Sequence, residues 1–231
     1  MNPLAALLLA AGFAAGGFLI GQGFVEARTL DRSVVVKGLA EEEVRADIVI
    51  WPLQFNVARD DLDQLVAEVE RQQSTVIAFL EQSGFGTDEI TIKAPTIIDH
   101  QAQAYSNNQQ RFRYLARAVI TVYSSNIDAA LAAESELLQL GRDGVSINQD
   151  NYEYRTQYLF QGLNDLKPRM IEAATANARE VARKFADDSG STLGRIKTAR
   201  QGQFSISDRD SNNPHIKRVR VVSTLTYYLD D

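Results

Sequence analysis

Two hydrophobic periods alternate along this chain, and that alternation restricts the fold more than any other property of the sequence. From Asp47 to Val57, the residues Val49, Trp51, Leu53, Phe55 and Val57 fall on every second position, the period of a strand with one buried face. Asp60, Asp61 and Asp63 then offer cap and first-turn carboxylates to a segment in which Leu62, Leu65, Val66, Val69, Val76, Ile77 and Leu80 recur at threes and fours. That spacing predicts an amphipathic helix ended by Gly84. Ser33 to Lys37, Ile90 to Ile98 and Phe112 to Tyr123 read as further strands, with a polar loop over Gln101 to Gln110 and a helix from about Asn126 to Gln139.

The second half repeats the order. Tyr152, Tyr154, Thr156, Tyr158 and Phe160 alternate with polar neighbours and predict a strand with its rings turned inward. A helix over Asp165 to Asp188 buries Met170, Ile171, Ala174, Ala178, Val181, Ala182 and Phe185 and stops at Gly190. An offset of 105 residues lays this helix on the first one, Ser211-Asn212-Asn213 on Ser106-Asn107-Asn108, and Val219, Val221, Leu225 and Tyr227 on Tyr114, Ala116, Ile120 and Val122. The expected fold is therefore α+β: two β-α-β-loop-β units, 33–125 and 145–231, with helices packed on mostly antiparallel sheets and a connector helix over 126–139.

Residues 1–27 differ from the rest. From Leu4 to Val25 only Gln22 is more polar than Gly or Ala, a length sufficient for a span of about 20 residues. The segment reads as an export signal or membrane anchor ahead of a domain over 28–231, with Val25-Glu26-Ala27 as the cleavage site if it is removed. The chain has no cysteine, which excludes disulfides, thiolate metal sites and thiol nucleophiles. A net charge of −6 opposes binding to nucleic acid.

Candidate chemistry is sparse. Asp208-Arg209-Asp210-Ser211-Asn212-Asn213 begins like a calcium loop, but Asn213 stands where the turn needs Gly and Val219 where a closing Glu belongs, so a solvated hairpin loop is expected. His100 and His215 adjoin polar loops without a second imidazole at ligand spacing, and are expected in solvent. No nucleotide or nucleophile motif is present, and no catalytic, metal or cofactor residue is assigned. The basic stretch Lys217, Arg218 and Arg220, joined by Arg195, Lys197 and Arg200, departs locally from an acidic protein. Its reading is contact with an acidic surface, either lipid headgroups or the Glu41 to Glu43 stretch of another copy. With Thr224 and Thr226, the residues Lys217, Arg218 and Arg220 form the candidate partner-binding set, on a carboxy-terminal strand expected at a sheet edge.

Val36-Lys37-Gly38 leading to Asp47, Arg113-Tyr114-Leu115-Ala116 with Ile120-Thr121-Val122, the helix with Ala173, Ala174, Ala178, Ala182 and Ala186, and Gly190-Ser191-Thr192-Leu193-Gly194 together resemble the SIMPL-domain family, also called DUF541. The likeness covers about Asp31 to Leu229. Ala46-Asp47 stands where many members carry Pro-Asp. The resemblance implies an exported bacterial envelope protein, periplasmic, linked to stress tolerance and able to assemble with copies of itself; the apolar amino-terminal segment adds the expectation that it is held at the inner membrane. It implies no catalytic residues; the alternative is an extracytoplasmic hydrolase whose carboxylates meet only in the fold.

Overall fold

A computed structural model describes residues 11–23, 32–102, 111–148 and 152–230. Helix α1 covers 11–23. Then follow β1 (Ser33–Arg45), β2 (Ile48–Arg59), α2 (Leu62–Gln82), β3 (Ile90–Asp99), β4 (Tyr114–Ser124), α3 (Ile127–Ser135), α4 (Leu138–Arg142), β5 (Gln157–Leu159), α5 (Leu163–Asp188), β6 (Thr192–Gln201), β7 (Ser205–Asp208) and β8 (Ile216–Asp230). The α+β reading holds, with two antiparallel sheets.

The chain forms two compact units, each built from separate segments. The first takes the described residues of Met1–Glu42, Asp165–Ile206 and Val219–Asp231; the second takes Glu43–Asn164 and Ser207–Arg218. In the second unit the strand order is β3-β4-β2-β5. Val49, Trp51, Leu53, Phe55 and Val57 point from β2 into a core shared with Leu65, Val69, Val76 and Leu80 of α2 and with Ala130 and Ala133 of α3. Asp61 caps α2 by accepting the Gln64 N–H at 3.0 Å, and Asn126 caps α3 by accepting the Ala129 N–H at 3.1 Å. The expected helix over 126–139 is broken in two, because the backbone turns at Glu136 and Leu137 before α4 begins.

In the first unit the order is β1-β8-β6, with β7 also paired to β8. Leu229 donates its N–H to the Arg32 carbonyl at 3.0 Å, so β1 lies beside β8. The offset of 105 carries α2 onto α5, β3 onto β6 and β4 onto β8. The strand flanking β8, however, is β1, while β5 pairs with β2. Helix α5 packs its stripe of Ala174, Ala178, Ala182 and Ala186 inward, each at 1% exposure or less, on Val36, Leu225 and Tyr227.

Several expectations are corrected. Phe185 is 55% exposed, while the inward positions of α5 are taken by Leu166, Met170 and the alanines. The strand expected over 152–160 shrinks to β5, preceded by a single 3-10 turn over Tyr152–Tyr154. Of its rings only Tyr158 is buried, and Tyr152 is 77% exposed. The ladder stops at Gln157 opposite Ile50, and two residues further along the partner is Pro52, which has no N–H to donate. β1 extends to Arg45 rather than Lys37. The carboxy-terminal strand β8 is not at an edge: β1 lies on one side of it and β6 on the other.

The apolar segment Leu4 to Val25 lies partly outside the described residues, as do its cleavage site and the Ser106-Asn107-Asn108 loop. Among the described residues no helix is long and apolar enough to cross a membrane. The 13 described residues of α1 span about 20 Å at the helical rise.

Candidate functional site: an open basic sheet face

The first unit covers one face of its sheet with α5 and, among the described residues, leaves the other open. β8 alternates strictly, with Val219, Val221, Ser223, Leu225 and Tyr227 buried and Arg220, Val222, Thr224, Thr226 and Tyr228 turned the other way. β1 alternates too, turning Val36, Gly38 and Ala40 inward and Val35, Lys37, Leu39 and Glu41 outward. The Arg32–Leu229 bond sets a register in which Lys37 stands opposite Thr224 and Glu41 opposite Arg220. On the far side Arg200 pairs in register with Thr224, and Thr198 with Thr226.

Lys37, Thr224 and Arg200 therefore form one row across three strands. Beside it the Thr198 hydroxyl bonds to the Thr226 hydroxyl at 2.9 Å. Beyond that, Tyr228 carries two cations over its ring, the Arg195 guanidinium at 5.9 Å and the Lys197 ammonium at 5.2 Å. Asp230 ends the row near Gly194. Among the described residues no carboxylate forms an ion pair with Lys37, Arg195 or Arg200. The face gathers positive charge on a chain whose net charge is −6.

The residues singled out from sequence divide. Thr224 and Thr226 lie on this face. Arg220 lies at its margin, 3.5 Å from Glu41. In the second unit, Arg218 reaches Glu43 at 3.7 Å and Arg209 reaches the same carboxylate at 3.9 Å. The acidic stretch imagined on another copy is thus in place within this chain, and it neutralises the two arginines. Lys217 points inward at 6% exposure and pairs with Asp208. Sequence reading placed Lys37 at the end of a strand over Ser33 to Lys37 but not on this face, because which strand lies alongside is not written in the linear order; the alternation of small inward residues Val36, Gly38 and Ala40 past Lys37 was the available signal that the strand continues.

Several other titratable groups serve the fold. Arg71 and Gln72 hold Glu68 well below the usual carboxylate range, at about 2, and Arg209 and Asn213 do the same for Asp210, also about 2. Arg113 lowers Asp99, and Arg45 lowers Asp128. Asp210 accepts the N–H groups of Asn212 and Asn213, each at 2.9 Å, closing the loop that resembled a calcium site. Among the described residues no three His, Asp or Glu side chains gather as a metal set. The histidines are half-buried rather than fully solvated: the Nδ1 of each is buried and has no hydrogen-bond partner among the described residues. His215 ends a strand pairing, accepting the Ala46 N–H at 2.8 Å, and its ring meets Tyr158 edge-on with centroids 6.0 Å apart.

A family model described as SIMPL, protein of unknown function (DUF541), matches residues 34–223. The chain belongs to the SIMPL family. No curated protein matches it. The SIMPL match begins in β1 and ends within β8, so Lys37, Arg195 and Arg200 fall inside it and Thr224 and Thr226 just beyond. At Ala46, where the resemblance drawn from sequence leads one to expect proline, the backbone donates to His215 the N–H that a proline lacks. Asp47 accepts the Gln161 N–H at 2.8 Å and the Gly162 N–H at 3.0 Å just before α5.

Proposed function

We propose that this SIMPL protein is a non-enzymatic module of the bacterial envelope, tethered by its amino-terminal segment and resting its open basic face on anionic lipid headgroups. The observation that carries the reading is the row of Lys37, Thr224 and Arg200 with Arg195 beside it, on a sheet face that α5 leaves uncovered among the described residues. The place of entry supports it. Seven residues separate Val25, the end of the apolar segment, from Ser33, and seven extended residues reach at most about 25 Å. A tether in the bilayer therefore keeps the Ser33 end of the sheet near the membrane. Each basic residue there adds about 1 kcal/mol of attraction to an anionic surface, fading over about 8 Å at physiological salt.

Against a hydrolase stands the chemistry of the carboxylates. A general acid needs a raised pKa, whereas Glu68, Asp99, Asp128 and Asp210 are all lowered by neighbouring cations. Self-association, the remaining part of the reading, moves from β8 to β1, the end strand of its sheet, where Asn177 of α5 accepts the Leu39 N–H at 3.2 Å.

The test uses the chain from Arg28 onward with vesicles of phosphatidylcholine alone or mixed with phosphatidylglycerol. It should float with the anionic vesicles, less so as salt rises, and Lys37→Glu with Arg200→Glu should abolish flotation. Equal binding to both vesicles, or binding unchanged in the variant, refutes the headgroup contact. A reporter active only outside the cytoplasm, fused after Asp231, tests export; its silence refutes the envelope assignment.

A further inference from the structure

In the second unit, β2 has a gap along one edge. β5 pairs with it from Ile48 to Ile50, and the next contact on that side is the single bridge from Phe55 to Ile147. Between them lies Pro52, which offers no N–H to a neighbouring strand. The gap is lined as a cavity of about 130 Å³, with Trp51, Leu53, Ile147 and Tyr154 among its apolar walls.

Two opposite charges line the same cavity. The Glu134 carboxylate accepts a hydrogen bond from the Thr156 hydroxyl at 2.9 Å and one from the Tyr158 hydroxyl at 3.3 Å. Burial first, then the Glu134 charge, pushes the Tyr158 pKa up, so that hydroxyl remains a donor. Arg155 supplies the positive charge, its guanidinium lying 4.3 Å over the Tyr152 ring. Glu134 and Arg155 form no ion pair with each other, and Glu134 has none with any described cation. A half-buried carboxylate satisfied only by hydroxyls retains a demand for a counter-charge.

We propose that this cavity binds a small zwitterionic α-amino acid, its ammonium on Glu134, its carboxylate on Arg155 and its side chain against Trp51. Two opposite charges that line one cavity without pairing with each other suit a dipolar ligand rather than a simple cation or anion. Size narrows the class. A cavity of about 130 Å³ is small beside the sites of about 300 to 1,000 Å³ that take drug-sized ligands, which favours a short side chain.

The chain contains one tryptophan, so its emission reports on Trp51 alone. Alanine titrated into the full chain in detergent micelles should shift that emission saturably, and propionate or ethylammonium should bind at least tenfold more weakly. Arg155 is exposed, so Arg155→Gln should leave thermal unfolding unchanged while weakening alanine at least tenfold; Glu134→Gln should weaken it similarly. The proposal is overturned if alanine produces neither a saturable emission change nor heat in calorimetry. Ethylammonium binding as tightly as alanine overturns it as well, as does undiminished affinity in a folded Arg155→Gln chain.

Discussion

Gly38 of β1 lies directly against Ala178 of α5. A β-carbon added at Gly38 would stand 2.7 Å from the Ala178 β-carbon and 1.9 Å from the Ala174 carbonyl oxygen, closer than any packed pair of atoms can come. Gly38→Ala is therefore expected to lower stability by about 3 kcal/mol, read from the urea midpoint. Adding Ala178→Gly should recover only part of the loss, because the Ala174 carbonyl is backbone and remains.

Lys217 offers a contrast between removing a charge and orphaning one. Asp208→Asn leaves a buried ammonium with a neutral partner, and because Asp208 itself is about half exposed the cost should be about 1 to 2 kcal/mol. Lys217→Met removes both the charge and its need for a partner, and should change stability by less than about 1 kcal/mol. Equal losses in the two variants, measured by chemical unfolding, would show that the packing of the stem rather than the charge matters at this position.

Glu68 sets an acid limb for the second unit. Its folded pKa of about 2 lies below the ordinary value of 4.5, so its contribution is full above the unfolded pKa and is lost as pH falls from about 4.5 toward about 2. Urea midpoints of the parent should fall through that window more steeply than those of Glu68→Gln, and the two curves should converge near pH 2. Parallel curves would remove Glu68 from the acid response.

Asp47 fastens the chain before α5. Asp47→Ala strips the acceptor from the Gln161 and Gly162 N–H groups and should cost about 1 to 2 kcal/mol, whereas Asp47→Asn, which keeps one oxygen acceptor, should cost less. Ala46→Pro should also destabilise, because it removes the N–H given to His215. Both effects are read from the unfolding midpoint.

Strands and helices with a clean one-sided pattern were legible in the sequence. β2, α2, β4 and β8 follow their periods because each buries a single face against one layer. The faces of β8 were readable for that reason, whereas its neighbours were not, since an alternating pattern reports which residues are inward and nothing about which strand lies alongside. β1 was shortened because Glu41 and Glu43 look like a loop until Arg220 and Arg218 are seen opposite them. The rings of Tyr152 and Tyr154 promised a strand that Pro52, about a hundred residues earlier, does not allow to form. The basic face was half visible: Arg195, Lys197, Arg200, Thr224 and Thr226 carry the signal in the linear order, but Lys37 joins them only through the pairing of β1 with β8.

That pairing also fixes a schedule. β1 ends at Arg45 and its partner strand begins at Ile216, so about 170 residues must be made before the first strand of the sheet can find its neighbour. At ribosomal rates of about 5 to 20 residues per second the wait is roughly 10 to 30 s, and the long loop to be closed slows the search further. During that interval the first unit has no native sheet to fold onto. A chain built this way stays threadable until its last strand arrives.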